Sequence, residues 1–242
     1  MFDIIMKPST VHVDCFTNLG VAYNYAKIDY ASNFYPEWWK KLSKETFPPP
    51  RRVPAPTMKT CQGIINLYQN NLIMPMWTDT IVQTTENSID VQFAEQWVWD
   101  QHPYEQREGY LKAYHHAKIR SPWLFKSKKE IYWSFQKPMY NFDNPLEYII
   151  FDGVVDFKYQ YTTNINMAFK KLNKQTKIPF KQPLLLMTPH TEKRLVFKNH
   201  FLSKEEFLNL AEDGGGTTTF VNKYLTNKKI KQSQEKKCPF HF

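Results

Sequence analysis

Glycine is scarce: the 242 residues hold seven, and three of these are consecutive at Gly214 to Gly216. A P-loop and a dinucleotide-binding turn each need several glycines at fixed spacing so that backbone amides can approach phosphates, and the remaining glycines cannot supply either pattern. Nucleotide binding through those folds is excluded. The serine elbow, the zinc-protease helix motif and the kinase signature set are missing as well. The three cysteines, Cys15, Cys61 and Cys238, are odd in number and lack metal-ligand spacing. With no charged-then-apolar pattern at the N-terminus, they suggest a reduced intracellular chain. Apolar runs are short. Tyr148 to Phe151 and Pro183 to Met187 fall far below the ~20 residues of a membrane helix, so no membrane partner is expected.

Aromatic residues, by contrast, are plentiful. They make up 16% of the chain and include 14 Tyr and 7 Trp. Such residues favour half-buried strands over a helical bundle built on Leu and Ala. The formal charge is +9. Six Lys against one Glu between Lys223 and Lys237 contribute +5 of it, so the basicity is largely a tail property and no basic stripe marks the body. A Lys-rich terminus is usually a solvated one, and nucleic acid is the alternative partner for it.

Hydrophobic periodicity divides the chain into short elements. Val11, Val13 and Cys15 alternate with His12 and Asp14, as in a strand that buries one face. "PEWWKKL", Pro36 to Leu42, predicts a short helix with proline at its start and cations in its last turn. "FPPPRRVPAP", Phe47 to Pro56, carries five prolines and predicts an extended surface strap. From Thr57, a plausible cap, Met58, Cys61, Ile64 or Ile65 and Tyr68 recur at helical spacing. The stretch from Leu72 to Trp99 reads as strand, turn and strand, with "TENS" at Thr85 to Ser88 as the reversal. Asp100 to Phe125 predicts a loop with a helical turn. Five further strands are expected in "EIYWSFQKP", "LEYIIFDG", "VVDFKYQY", "TNINMAF" and "QPLLLMTPH". Ser203 and Glu206 have capping-box spacing at the head of a helix that stops at the triple glycine, and a second helix is expected from Thr217 to about Gln234.

The expected architecture is therefore a mainly β (α+β) single domain, a β-barrel or β-sandwich with one or two packed helices, over residues 1–202. A helical basic tail follows over 203–242. Trp123, in the apolar cluster "SPWLF", is expected in the core.

Four groups of side chains are candidates for chemistry. His12 and Asp14 share one face of a strand, and with His190 or His200 they would supply the two imidazoles and one carboxylate of a non-haem iron site. A solvated strand face is the competing reading. His102, His115 and His116 lie in one segment and can serve as acid, base or metal ligand, although neighbouring His115 and His116 must point apart in any regular element. Asp156 and Tyr159 follow Gly153 in "FDGVVDFKYQY", where the carboxylate is either a substrate ligand or the polar edge of a strand turn. A pocket formed by Asp156, Tyr159, His102 and Gln106 would suit a nucleotide-like small molecule. No cofactor is expected.

Two resemblances bear on these residues. Gly153, Asp156 and Tyr159 match the "G-x-x-D-x-x-Y" segment of the trimeric dUTPases, in which the Asp positions sugar and water. Here Gln160 stands where that family has its next glycine, and the later strand reads "KQPLLLM". The segments "PEWWKKL", "PTMKTCQGIINLYQNNLIMPMWTDTIV", "HPYEQ…KIRSPWLFKSKKEIYWSFQKP" and "FDGVVDFKY…NINMAF…IPFKQPLLLMTPH" together resemble an uncharacterised family of tailed-phage proteins, more distantly the DUF6065 group. That resemblance covers roughly Pro36 to His190. It implies a β-rich fold and a phage context, in the host cytoplasm or the virion, and supplies no reaction. The leading expectation is a non-enzymatic binding or assembly module with a protein partner or with itself. The alternative is an enzyme or a ligand-binding protein using Asp156, Tyr159, His102 and Gln106.

Overall fold

A computed structural model describes residues 10–47, 50, 53–107, 109–214 and 221–237. The architecture is mainly β. Twelve strands of four residues or more are present among these residues: β1 (Thr10–Thr17), β2 (Leu72–Pro75), β3 (Thr80–Thr84), β4 (Ile89–Phe93), β5 (Tyr114–Arg120), β6 (Leu124–Ser127), β7 (Tyr132–Gln136), β8 (Gly153–Asp156), β9 (Asn164–Lys170), β10 (Lys174–Ile178), β11 (Pro183–Pro189) and β12 (Arg194–Phe201). Five helices accompany them: α1 (Gly20–Tyr25), α2 (Glu37–Lys41), α3 (Gln62–Tyr68), α4 (Lys204–Asp213) and α5 (Val221–Lys237).

The strands form separate sheets, and no barrel closes among the described residues. One sheet has the order β6-β1-β12, with β1 antiparallel to β6 and parallel to β12. A second runs β8-β7-β11-β2 and ends on the short strand Asp29–Tyr30. In a third, β9 and β5 are central, flanked by Ile149–Ile150 and Trp99–Asp100. The fourth has the order β10-β3-β4, with β3 and β4 joined by a reversal at Thr85 to Ser88 in which the Thr85 N–H donates to the Ser88 carbonyl. Val11, Val13 and Cys15 are all buried, as alternation requires.

Phe157 joins two of these sheets. Its ring stacks on Phe125 of β6 with centroids 4.5 Å apart, and it lies 5.6 Å from Trp133 and 6.0 Å from Phe135 of β7. The backbone around it does the same: Ser127 donates to the Phe157 carbonyl and Phe125 to that of Tyr161. The stretch after Asp156 leaves strand geometry in a turn whose Asp156 carbonyl accepts the Tyr159 and Gln160 amides.

Several expectations hold with shifted boundaries. α2 starts after Pro36 and ends on Lys40 and Lys41. The helix expected from Thr57 is broken in two: Thr57 caps a 3-10 turn at Met58–Thr60, and α3 follows, burying Ile64 and Tyr68 while Met58 and Cys61 stay exposed. Glu45–Thr46 pairs with Ala55–Pro56 at the ends of the proline-rich strap, whose residues 48, 49, 51 and 52 lie outside the described residues. Ser203 and Glu206 form both bonds of the capping box.

The expected loop between Asp100 and Phe125 instead contains β5, the centre of the third sheet. Its alternation is masked because His115, His116 and Ala117 are all buried, one face after the other. α4 is packed through Phe207, Leu210 and Ala211 against Leu124 and Tyr161. α5 touches the body through Lys228 on Glu130 and Lys231 on the Tyr161 hydroxyl. Cys238, Gly215 and Gly216 lie outside the described residues.

Candidate functional site

An aromatic cleft of about 470 Å³ opens where three distant segments meet: residues 33–40, the Tyr140 to Asp143 turn, and Lys181 to Pro183. Proline-led α2 sets Trp38 on the rim and turns Trp39 inward. Trp39 stacks on Tyr35 at 4.0 Å, and Tyr35 in turn on Tyr68 of α3 at 4.5 Å. Lys59 lies 3.9 Å from the Trp39 ring and donates to its carbonyl, so a cation sits at the Trp39 end of the stack.

Asn141 pins the floor. Its amide accepts from the Tyr68 hydroxyl at 2.6 Å and donates to the Phe34 carbonyl at 2.6 Å, and Gln182 donates to its backbone carbonyl at 2.9 Å. Burial pushes the Tyr68 phenol up, so it stays a donor. The Trp38 indole donates to the Tyr140 carbonyl at 3.0 Å, and the two rings stand 6.3 Å apart. Trp38 is 40% exposed and Tyr140 36%. Large apolar faces are thus held open to solvent, with the Trp38 indole N–H already satisfied by the protein.

The residues singled out in the sequence fall into separate groups. His102 places Nδ1 2.9 Å from Gln106 and Nε2 3.3 Å from Asn166 of β9, with its ring 5.8 Å from that of His116. His116 packs on Phe151, whereas His115 turns the other way and donates to the Thr85 carbonyl at 3.0 Å. The two neighbours point apart, as expected. Asp156 and Tyr159 belong to another group, with Glu130 and α5.

Asp156 is buried, not hydrated. One carboxylate oxygen accepts the Lys158 amide at 2.9 Å, and the other is buried with no hydrogen-bond partner. Desolvation raises its pKa, with the Glu130 charge adding to the effect and the Lys158 amide opposing it. Glu130 behaves oppositely: its bond to Lys228 holds it below the usual carboxylate range, and Tyr159 donates to it at 3.1 Å. Tyr224 of α5 stands edge-on to Tyr159 at 6.2 Å. Gly153 is the first residue of β8, and a side chain there would meet nothing within 4 Å.

On the first sheet, Asp14 pairs with His200 at 2.7 Å and His12 bonds to Thr10 at 3.1 Å, while Phe16 stacks on His200. His190 is hydrogen-bonded to Ser134 on a different sheet. No group of three His, Cys, Asp or Glu side chains able to hold a metal ion is present among the described residues, so the iron-site arrangement of His12, Asp14 and a second histidine is not assembled.

Two features were not legible in the sequence. Lys128, Lys129 and Lys198 gather beside His12 and Asp14 around a cleft of about 410 Å³, a basic surface on the body made from two distant segments. Lys137, a lysine in an unremarked strand end, is buried. Among the described residues no helix is long and apolar enough to cross a membrane. No protein-family model matches the chain, and no curated protein matches it.

Proposed function

We propose that this protein is a binding or assembly module whose contact surface is the aromatic cleft at Trp38 and Tyr140. The observation that carries this reading is that both residues are more than a third exposed while the Trp38 indole is fixed on the Tyr140 carbonyl and the turn is held by the Asn141 network. Trp and Tyr bury large areas on binding at little cost in side-chain entropy, and a preformed cleft reduces that cost further. The occupant that fits is an extended segment of a protein partner that lays an apolar side chain across the exposed faces of the two rings. The resemblance of Pro36 to His190 to tailed-phage proteins supports placing that partner in an infected cell or a virion.

Affinity capture with the full chain tests the reading. A partner retained in fixed stoichiometry by the wild type should be lost with Trp38→Ala, with at least a tenfold drop in affinity, since central aromatic anchors contribute about 2 kcal/mol or more. Equal retention by the variant would remove the cleft from the contact surface.

A further inference from the structure

After β7 the chain folds back on itself between Gln136 and Asp152 and encloses a cavity of about 300 Å³. That is the lower end of the ~300–1,000 Å³ typical of small-ligand pockets. Its walls are Met139, Pro145, Leu146, Ile149 and Ile150. Burial orders the lining from mouth to floor. Leu146 is 76% exposed and Met139 44%, whereas Lys137 is 8% exposed and Tyr148 3%.

The floor is polar in a way the walls are not. The Lys137 ammonium donates to the carbonyls of Pro145 at 2.9 Å and Tyr148 at 2.8 Å, and it lies 3.6 Å from the centroid of the Tyr148 ring. An ammonium has three donors, and these carbonyls take two. Among the described residues no carboxylate forms an ion pair with it. Glu147 is engaged by Lys174 at 2.9 Å, and Asp152 is exposed at the rim. The Tyr148 hydroxyl is buried with no hydrogen-bond partner, and burial keeps it protonated. A buried cation with no carboxylate bonded to it and a buried hydroxyl without an acceptor both cost free energy, and one anionic acceptor would relieve both.

We propose that this cavity binds a small apolar monocarboxylate, with its carboxylate between Lys137 and the Tyr148 hydroxyl and its hydrocarbon chain along Met139, Leu146 and Ile149. The proposal is independent of the aromatic cleft, with which this cavity shares no lining residue.

Calorimetric titration of the full chain with sodium octanoate tests it, with octanol as the uncharged probe of equal length. One saturable site for octanoate is expected, with octanol at least tenfold weaker. Tyr148→Phe keeps the ring and its packing and should weaken octanoate about tenfold or more, as loss of a hydrogen bond to a charged group does. Lys137→Met should abolish the preference for octanoate over octanol. If that variant fails to fold, the Tyr148→Phe titration decides alone. No saturable octanoate binding at millimolar concentration, equal binding of octanol, or undiminished binding by Tyr148→Phe would each overturn the proposal.

Discussion

Lys137 shows how far burial can move a single side chain. Desolvation draws its pKa down to about 8, with the charge of Glu147 pulling the other way and the Tyr148 ring packed beside it. A lysine with a lowered folded-state pKa binds fewer protons folded than unfolded between that value and its ordinary one, so stability should rise as pH increases through this window. Denaturant midpoints measured at pH 7.5 and pH 10 should therefore diverge more for the wild type than for Lys137→Met, which has no proton to lose. Equal pH responses of the two would mean that the ammonium is solvated. Asp156 follows the same physics in the acidic range. Its pKa is raised, so its ionisation opposes folding, and the cost appears as pH rises through the carboxylate range. Trp123, by contrast, meets its expectation of a core role, fully buried with its backbone held by Ser121.

At the scale of elements, two glycines separate what a helix end needs from what a strand tolerates. Gly214 closes α4 against Tyr161, and a Cβ there would lie 2.5 Å from the Tyr161 side chain. Overpacking of this kind costs about 1–3 kcal/mol. Gly153 in β8 has open space, and its replacement by Ala removes unfolded-state entropy worth about 0.4–1 kcal/mol. Thermal unfolding should rank Gly153→Ala at or above the wild type and Gly214→Ala clearly below it. The reverse order would contradict the packing of α4 on Tyr161. α5 is held differently, by Lys228 on Glu130 and Lys231 on Tyr161. Partly exposed pairs of this kind contribute little each and weaken with salt.

For the whole molecule, cohesion between sheets passes through Phe157. It touches Phe125 on one sheet and Trp133 and Phe135 on another. Phe157→Ala should cost about 3–5 kcal/mol and, because the loss falls between sheets, reduce the cooperativity of unfolding as well as its midpoint. A sharp transition at an unchanged midpoint would show that the sheets are joined elsewhere. The aromatic cleft has the same character: its walls come from residues 33–40, 140–143 and 181–183, so unfolding any one of these regions dismantles it.

Local chemistry in the sequence determined the short helix after Pro36, the buried face of β1, the Thr85 to Ser88 reversal and the capping box at Ser203, because each depends on residues within a few positions of one another. β5 was hidden because a strand covered on both faces loses the alternation that announces it. The bonding of His102 to Asn166, the burial of Asp156, the pairing of Asp14 with His200, and the lysines gathered beside His12 were decided only by the tertiary structure. The same holds for Lys137: a charged residue reads as exposed in any linear pattern, and only the return of the chain from Pro145 to Tyr148 encloses it. Periodicity reports the face a residue presents to its own element, whereas a site is made by which other elements that face meets.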